Sequence, residues 1–176
     1  MKLIDLVEEK DDSKKGTYAG VRFSKETIDG IKEYIKDNDI PNHTKFHKMH
    51  TTLLYSREYC PDYVPAGKFE EAMHGKPEEF EVWDSQPDDD DHVAKCLVMR
   101  YTCPELVKRH KTLMDEHNAT YDFDEYKPHV TFSYDIGDMK IKDLPKFKGK
   151  IELVEEYGED LNLDWAKDNS DITEKD

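Results

Sequence analysis

A histidine, one intervening residue and a threonine stand twice at the head of a β-rich run: His50-Thr51-Thr52-Leu53-Leu54-Tyr55-Ser56 and, 79 residues further on, His129-Val130-Thr131-Phe132-Ser133-Tyr134. Successive side chains of an extended strand point to opposite faces, so His50 shares a face with Thr52, and His129 with Thr131. Two such strands brought together would place two imidazoles and two hydroxyls around one point, and this pairing constrains the fold more than any other feature.

The surroundings of the two runs repeat as well. Gly16 to Phe23 has strand character, with Tyr18 and Arg22 on one face and Val21 and Phe23 on the other. Ser24 is a suitable helix N-cap, Glu26 sits where the helix dipole favours negative charge, and Ile28, Ile31 and Ile35 follow at helical spacing before Asp37-Asn38-Asp39-Ile40-Pro41. In the second half, His92 to Tyr101 reads as a strand. Thr102 with Glu105 has the form of a capping box, and Leu106, His110, Leu113, Met114 and His117 share one helical face. Val21 lies 29 residues before His50, and Met99 lies 30 before His129. The chain is therefore expected to contain two strand, helix, strand units of nearly equal length. Between them, Lys68 to His74 is expected as a short helix, Phe80 to Asp84 as a strand and Asp88 to Asp91 as a solvated turn. Lys150 to Tyr157 should form a last long strand that Glu159 to Trp165 continues.

With 176 residues, one domain is expected over 16–165, preceded by a charged segment over 1–15 and followed by an acidic tail over 166–176. The formal net charge of −15 disfavours a long nucleic acid as partner but leaves room for a small anion held by local hydrogen bonds. Arg22, Arg100, Lys48 and Lys127 are the basic residues nearest the two motifs in sequence. Cys60, Cys96 and Cys103 form neither a disulfide framework nor a zinc knuckle. No apolar run reaches membrane-spanning length and the first residues do not form a signal peptide, so a cytoplasmic monomer without membrane attachment is expected.

A lone histidine in a strand is usually structural, but core packing gives no reason for the same polar pair to recur in matching places. Cleaving a phosphodiester needs a base, an acid and donors for the charge growing on the phosphoryl oxygens. His50 and His129 can serve as the acid and base at neutral pH, with Thr52 and Thr131 as donors. Two groupings compete as cation sites. His43, His47 and His50 lack a helix to align them, and Asp88 to Asp91 lack the spaced Asp, Gly and Glu of a calcium loop, so solvated loops are favoured and no metal or other cofactor is expected. His110 and His117 are assigned to the buried edge of their helix.

The doubled motif in a repeated strand, helix, strand unit resembles the two-histidine (2H) phosphoesterases over roughly residues 16–165. That resemblance implies an α+β, bilobal fold with pseudo-twofold symmetry, antiparallel sheets lining a central cleft, and metal-independent catalysis. By carry-over, His50 and His129 would be the acid and base, and Thr52 and Thr131 the phosphate-binding hydroxyls. The Gly16 to Phe23 opening, the Lys127-Pro128-His129-Val130-Thr131 approach and the closing Glu156 to Trp165 are most similar to the phage anti-CBASS phosphodiesterases, which degrade cyclic di- and trinucleotide immune signals. The likeness implies that Tyr18, Glu159 and Trp165, and less directly Trp83, contact the bases of a small anionic cyclic oligonucleotide. Read from the residues alone, Tyr18, Trp83 and Trp165 are also compatible with plain core packing. Two other functions stay open: a phosphoesterase acting on RNA ends or 2′,3′-cyclic nucleotides, and a module that sequesters a cyclic nucleotide without turnover.

Overall fold

The computed structural model describes residues 15–121 and 125–162. Trp165, the acidic tail and all but the last residue of the charged N-terminal segment lie outside the described residues. Among those described, six strands and two helices follow the order β1 (Lys15–Phe23), α1 (Lys25–Asp37), β2 (His50–Ser56), β3 (Gly67–Asp84), β4 (Lys95–Thr102), α2 (Pro104–His117), β5 (His129–Ser133) and β6 (Ile151–Asn162), with short 3₁₀ turns at Phe46–Lys48 and Ile141–Asp143. The class is α+β, and no helix among them is long and apolar enough to cross a membrane.

All strand pairs are antiparallel, and the sheet order is β2-β1-β6-β3-β4-β5. The β1-α1-β2 and β4-α2-β5 segments thus occupy its two ends, while β6 and β3 hold the middle. The outermost strands, β2 and β5, carry the two motifs, and they are tied to each other. The Thr51 hydroxyl donates to the His129 carbonyl at 2.9 Å, the Thr44 hydroxyl donates to the Thr131 carbonyl at 2.8 Å, and His43 bridges to Ser133. The edges of the sheet are thereby joined, which satisfies polar groups that an open edge would leave exposed.

Each helix buries the face its spacing foretells. Ser24 caps α1 by accepting from the Thr27 amide at 3.2 Å, and Thr27, Ile31, Tyr34 and Ile35 are buried. Leu106, His110 and Leu113 are the buried residues of α2, which ends at Asn118 in a left-handed conformation (φ 50°). Fully buried Leu53, Leu54, Leu97, Met99, Phe132, Ile151 and Leu153 join them in one core.

Two expectations are corrected. Thr102 does not cap α2: it ends β4, Cys103 is the N-cap without a side-chain bond, and Pro104 opens the helix with a preset φ and no amide to satisfy. Lys68 to His74 is strand, not helix. It belongs to the 18-residue β3, whose first half pairs with β6 and second half with β4. Pairing with β6 and continuity with the β4-paired half of the same strand outweigh the helix propensity of Lys, Glu, Ala and Met. The Asp88 to Asp91 turn is present, with the Asp88 carboxylate accepting from the amides of Asp90 and His92, both at 2.9 Å.

Candidate active site

Period-two alternation places His50 and Thr52 on one face of β2 while Thr51 and Leu53 turn into the core, both 0% exposed. On β5 the same alternation leaves His129 and Thr131 half-buried and sinks Val130 and Phe132 into the core. Because the two edges are joined, all four outward residues line one cavity of about 370 Å³. Tyr18 of β1 and Glu159 of β6 line it too, and these two are register partners across the ladder. Trp83 does not line the cavity but packs against one of its walls, its ring centroid 4.5 Å from that of His129. The cavity therefore gathers six of the eight residues singled out in the sequence, with Trp83 adjoining it and Trp165 outside the described residues.

The two imidazoles are held in the same way. Nδ1 of His50 lies 2.8 Å from the Lys48 carbonyl, and Nδ1 of His129 lies 2.8 Å from the Lys127 carbonyl. A carbonyl oxygen only accepts, so in both rings Nδ1 carries the proton, and Nε2 is the nitrogen left for proton transfer in the neutral ring. Each bond reaches back two residues, so the orientation is fixed by the local chain leading into each strand. Burial lowers the pKa of both imidazoles, opposed in each by the carbonyl bond. Arg22 lowers His50 further while Glu159 raises it; His129 is lowered by His50 and Arg100 and raised by Glu81. The two rings are thus close enough for charge on one to disfavour charge on the other, which suits a site that works with one neutral and one protonated imidazole.

The hydroxyls are arranged to donate. Tyr18 Oη and Thr52 Oγ1 are 3.0 Å apart, and either could be the donor. Burial pushes the Tyr18 phenol well above its ordinary pKa, so it stays protonated. Tyr18 also bonds the Tyr157 phenol, and where Tyr18 donates to Thr52 the threonine hydroxyl keeps its hydrogen for a ligand oxygen.

Several cavity residues were missed in the sequence reading: Tyr55, Tyr134, Tyr157, Thr44, Asp160 and Leu161. For Tyr157 a signal existed, since it lies two residues before Glu159 on the same strand and so shares its face. Its position is cut out by Gly20, where an added Cβ would come 2.5 Å from the Tyr157 hydroxyl. Only glycine lets the phenol lie across β1, and Arg22 stacks on the ring at 4.1 Å from its centroid.

Of the four basic residues named above, Arg22 and Arg100 are the register partners of His50 and His129 on the neighbouring strands. Lys48 and Lys127 supply the carbonyls that orient the rings. Among the described residues no three His, Cys, Asp or Glu side chains converge in a way that could hold a metal ion. His43 instead stacks on Phe46 with centroids 4.6 Å apart. His110 stacks on Tyr126 at 4.1 Å, its Nδ1 bonded to the Leu53 carbonyl at 2.7 Å, a structural part in agreement with expectation.

Residues 15–168 match the sequence family described as anti-CBASS protein Acb1. Relatives with that description include those of Enterobacteria phage T4, 36% identical over 87% of this chain and 93% of the relative. The protein of Salmonella phage S16 is 34% identical over 89% and 95%, and that of Yersinia phage phiR1-RT is 33% identical over 90% and 96%.

Proposed function

Because this chain belongs to the anti-CBASS protein Acb1 family, we propose that it counters a cyclic-oligonucleotide immune signal by cutting it, as a metal-independent phosphodiesterase of the two-histidine type. The observation that carries this reading is the matched setting of His50 and His129, each with Nδ1 spent on a carbonyl two residues back and each beside a threonine in the same cavity. The occurrence of β1-α1-β2 and β4-α2-β5 at opposite ends of one sheet supports the duplicated architecture of that superfamily.

In the proposed reaction one imidazole, neutral at Nε2, removes the proton of a ribose 2′-hydroxyl. The oxygen attacks the adjacent phosphorus, and the other imidazole, protonated, delivers its proton to the departing 5′-oxygen. Thr52, backed by Tyr18, and Thr131 donate to the non-bridging oxygens, where the transition state gathers charge. The product is a linear nucleotide ending in a 2′,3′-cyclic phosphate. The same pair with exchanged roles hydrolyses that ester: the imidazole left neutral activates water, and the one left protonated returns its proton to the 2′-oxygen. Tyr18, Glu159 and the Trp83 beside His129 are the candidates for contact with the bases; an aromatic ring stacks on any base, and a carboxylate accepts from an exocyclic amine.

The test is incubation with cyclic di- and trinucleotides in EDTA, with linear RNA bearing a 2′,3′-cyclic phosphate as the alternative substrate. Cleavage of the cyclic compounds to linear products supports the reading. Turnover of the linear RNA alone would favour an RNA-end enzyme, and tight binding without product would favour a sequestering module.

A further inference from the structure

Behind each histidine stands the same four-residue arrangement, repeated across the two halves of the sheet. On one side Arg22 of β1 is the register partner of His50, and Arg22 Nε lies 3.7 Å from the carboxylate of Glu155 on β6; Tyr157, two residues along β6, lies over Gly20 against His50, with ring centroids 6.4 Å apart. On the other side Arg100 of β4 is the register partner of His129 and donates to Glu81 of β3 at 3.0 Å; Trp83, two residues along β3, packs on His129 at 4.5 Å. Directly paired residues of a ladder project to the same face, so each guanidinium stands beside its imidazole. Glu81 is further fixed by the Trp83 indole, which donates to its other oxygen at 2.8 Å. A Glu-x-aromatic pair on each central strand thus backs an Arg-His pair that spans the two outer strands on its side. Core packing would not require charged residues to recur at these four places.

We infer that Arg22 and Arg100 are equivalent positioning residues, each setting the protonation of the histidine beside it through the balance between its own charge and that of its glutamate. This inference rests on the acid and base roles proposed for His50 and His129. The charged and titratable groups facing His50 are Arg22 and Tyr18 from β1, Glu155, Tyr157 and Glu159 from β6, and His129 from β5; Glu159 raises His50 directly, whereas Glu155 acts on it through the Arg22 guanidinium it pairs with. Those facing His129 are Arg100 from β4, Glu81 from β3, Lys127 from its own approach and His50 from β2. A cation beside an imidazole disfavours its protonated form, and a carboxylate favours it. In a chain of net charge −15 the two guanidiniums also supply the local positive field that an anionic substrate needs.

The experiment compares the pH dependence of kcat/KM for wild type, Arg22→Gln, Arg100→Gln, Glu81→Gln and Glu155→Gln. Removing Arg100 should move one limb of the profile to higher pH, and Glu81→Gln should move that same limb to lower pH. Arg22→Gln should move the opposite limb upward, because the two arginines serve different histidines, and Glu155→Gln should move that opposite limb downward. Arg22→Lys and Arg100→Lys, which keep the charge, should restore the wild-type limbs. A merely structural role would depress rate without moving either limb, and that result, or movement of one limb by both arginine variants, overturns the inference. Imidazole titration by NMR in the same variants reads the shifts without turnover. It therefore decides the matter for any variant that loses activity, and does so even if the wild-type protein proves to cleave nothing.

Discussion

The Thr51 hydroxyl donates to the carbonyl of His129 at 2.9 Å, across the seam where the two outermost strands meet. That hydroxyl has a single hydrogen, so at the 2.6 Å contact with Tyr101 it must be the acceptor and the Tyr101 phenol the donor. The residue between His50 and Thr52 thus points away from the cavity and anchors the opposite motif.

Replacing Thr51 by valine keeps the shape and removes both bonds, leaving a buried phenol and a carbonyl unpartnered. The expected loss of stability is about 1–3 kcal/mol, read by urea unfolding. The kcat should fall as well, since His129 is placed by that strand, whereas a seam of purely apolar packing would tolerate the change.

His50→Ala and His129→Ala should each lower kcat by roughly 10²- to 10⁴-fold while leaving the unfolding midpoint close to wild type. The double variant should be little worse than either single one, because acid and base act as a unit. Single-turnover assays on a cyclic dinucleotide check both statements.

Gly20→Ala tests the placement of Tyr157. The added methyl meets the far end of a mobile side chain rather than backbone, so stability should change by under about 1 kcal/mol. The phenol must nevertheless leave its place over β1, and KM should rise more than kcat falls. Unchanged kinetics would remove Tyr157 from the binding surface.

Glu156 is 1% exposed and takes two bonds from Arg109 at 2.9 and 3.0 Å, one from Tyr63 at 2.7 Å and one from the Ala66 amide at 3.0 Å. Burial alone would raise its pKa, but these donors prevail and hold it below the ordinary carboxylate value. Glu156→Gln leaves the partly exposed Arg109 without its carboxylate and should cost about 1–3 kcal/mol by chemical denaturation. Successive residues of β6 point oppositely, so this structural loss should leave the catalytic pH profile unmoved.

Stability should also fall on mild acidification. His50, His110 and His129 are all lowered from the ordinary value of 6.5, chiefly by burial. As the pH drops below 6.5 the unfolded chain takes up protons that the folded chain refuses, so their contribution is present above that pH and is lost toward the depressed values. His92 has the opposite sign: its bond to Asp135 raises it, giving stability present below 6.5 and lost as pH rises through the raised value. It is 58% exposed and carries little weight. Unfolding free energies from about pH 8 to about pH 5 should therefore decline.

The sequence made β1-α1-β2, β4-α2-β5 and the faces of the two histidine-threonine strands readable, because each rests on local periodicity, helped in the first unit by Ser24 and Pro41 as punctuation. It revealed only the end of β3, at Phe80 to Asp84, and not its first half, where the helix-favouring Lys68 to His74 are held extended by β6, a partner that no local signal announces. Nor did it place Cys103 and Pro104 as the start of α2, since the Thr102 and Glu105 pattern imitates a capping box one residue too early. Tyr55 reaches the cavity because a register shift between β1 and β2 pairs it with Tyr18, and Tyr134 because the sheet edges close, which depends on Thr44 and Thr51 reaching carbonyls 87 and 78 residues away.

The central claim is that His50 and His129 cut a cyclic oligonucleotide without a metal. Product identification by mass spectrometry, after incubation of cyclic di- and trinucleotides with the protein in EDTA, tests it most directly. Linear products whose formation is abolished in His50→Ala and in His129→Ala are the predicted result. Intact cyclic compounds, or activity lost in EDTA and restored by a divalent ion, would contradict it.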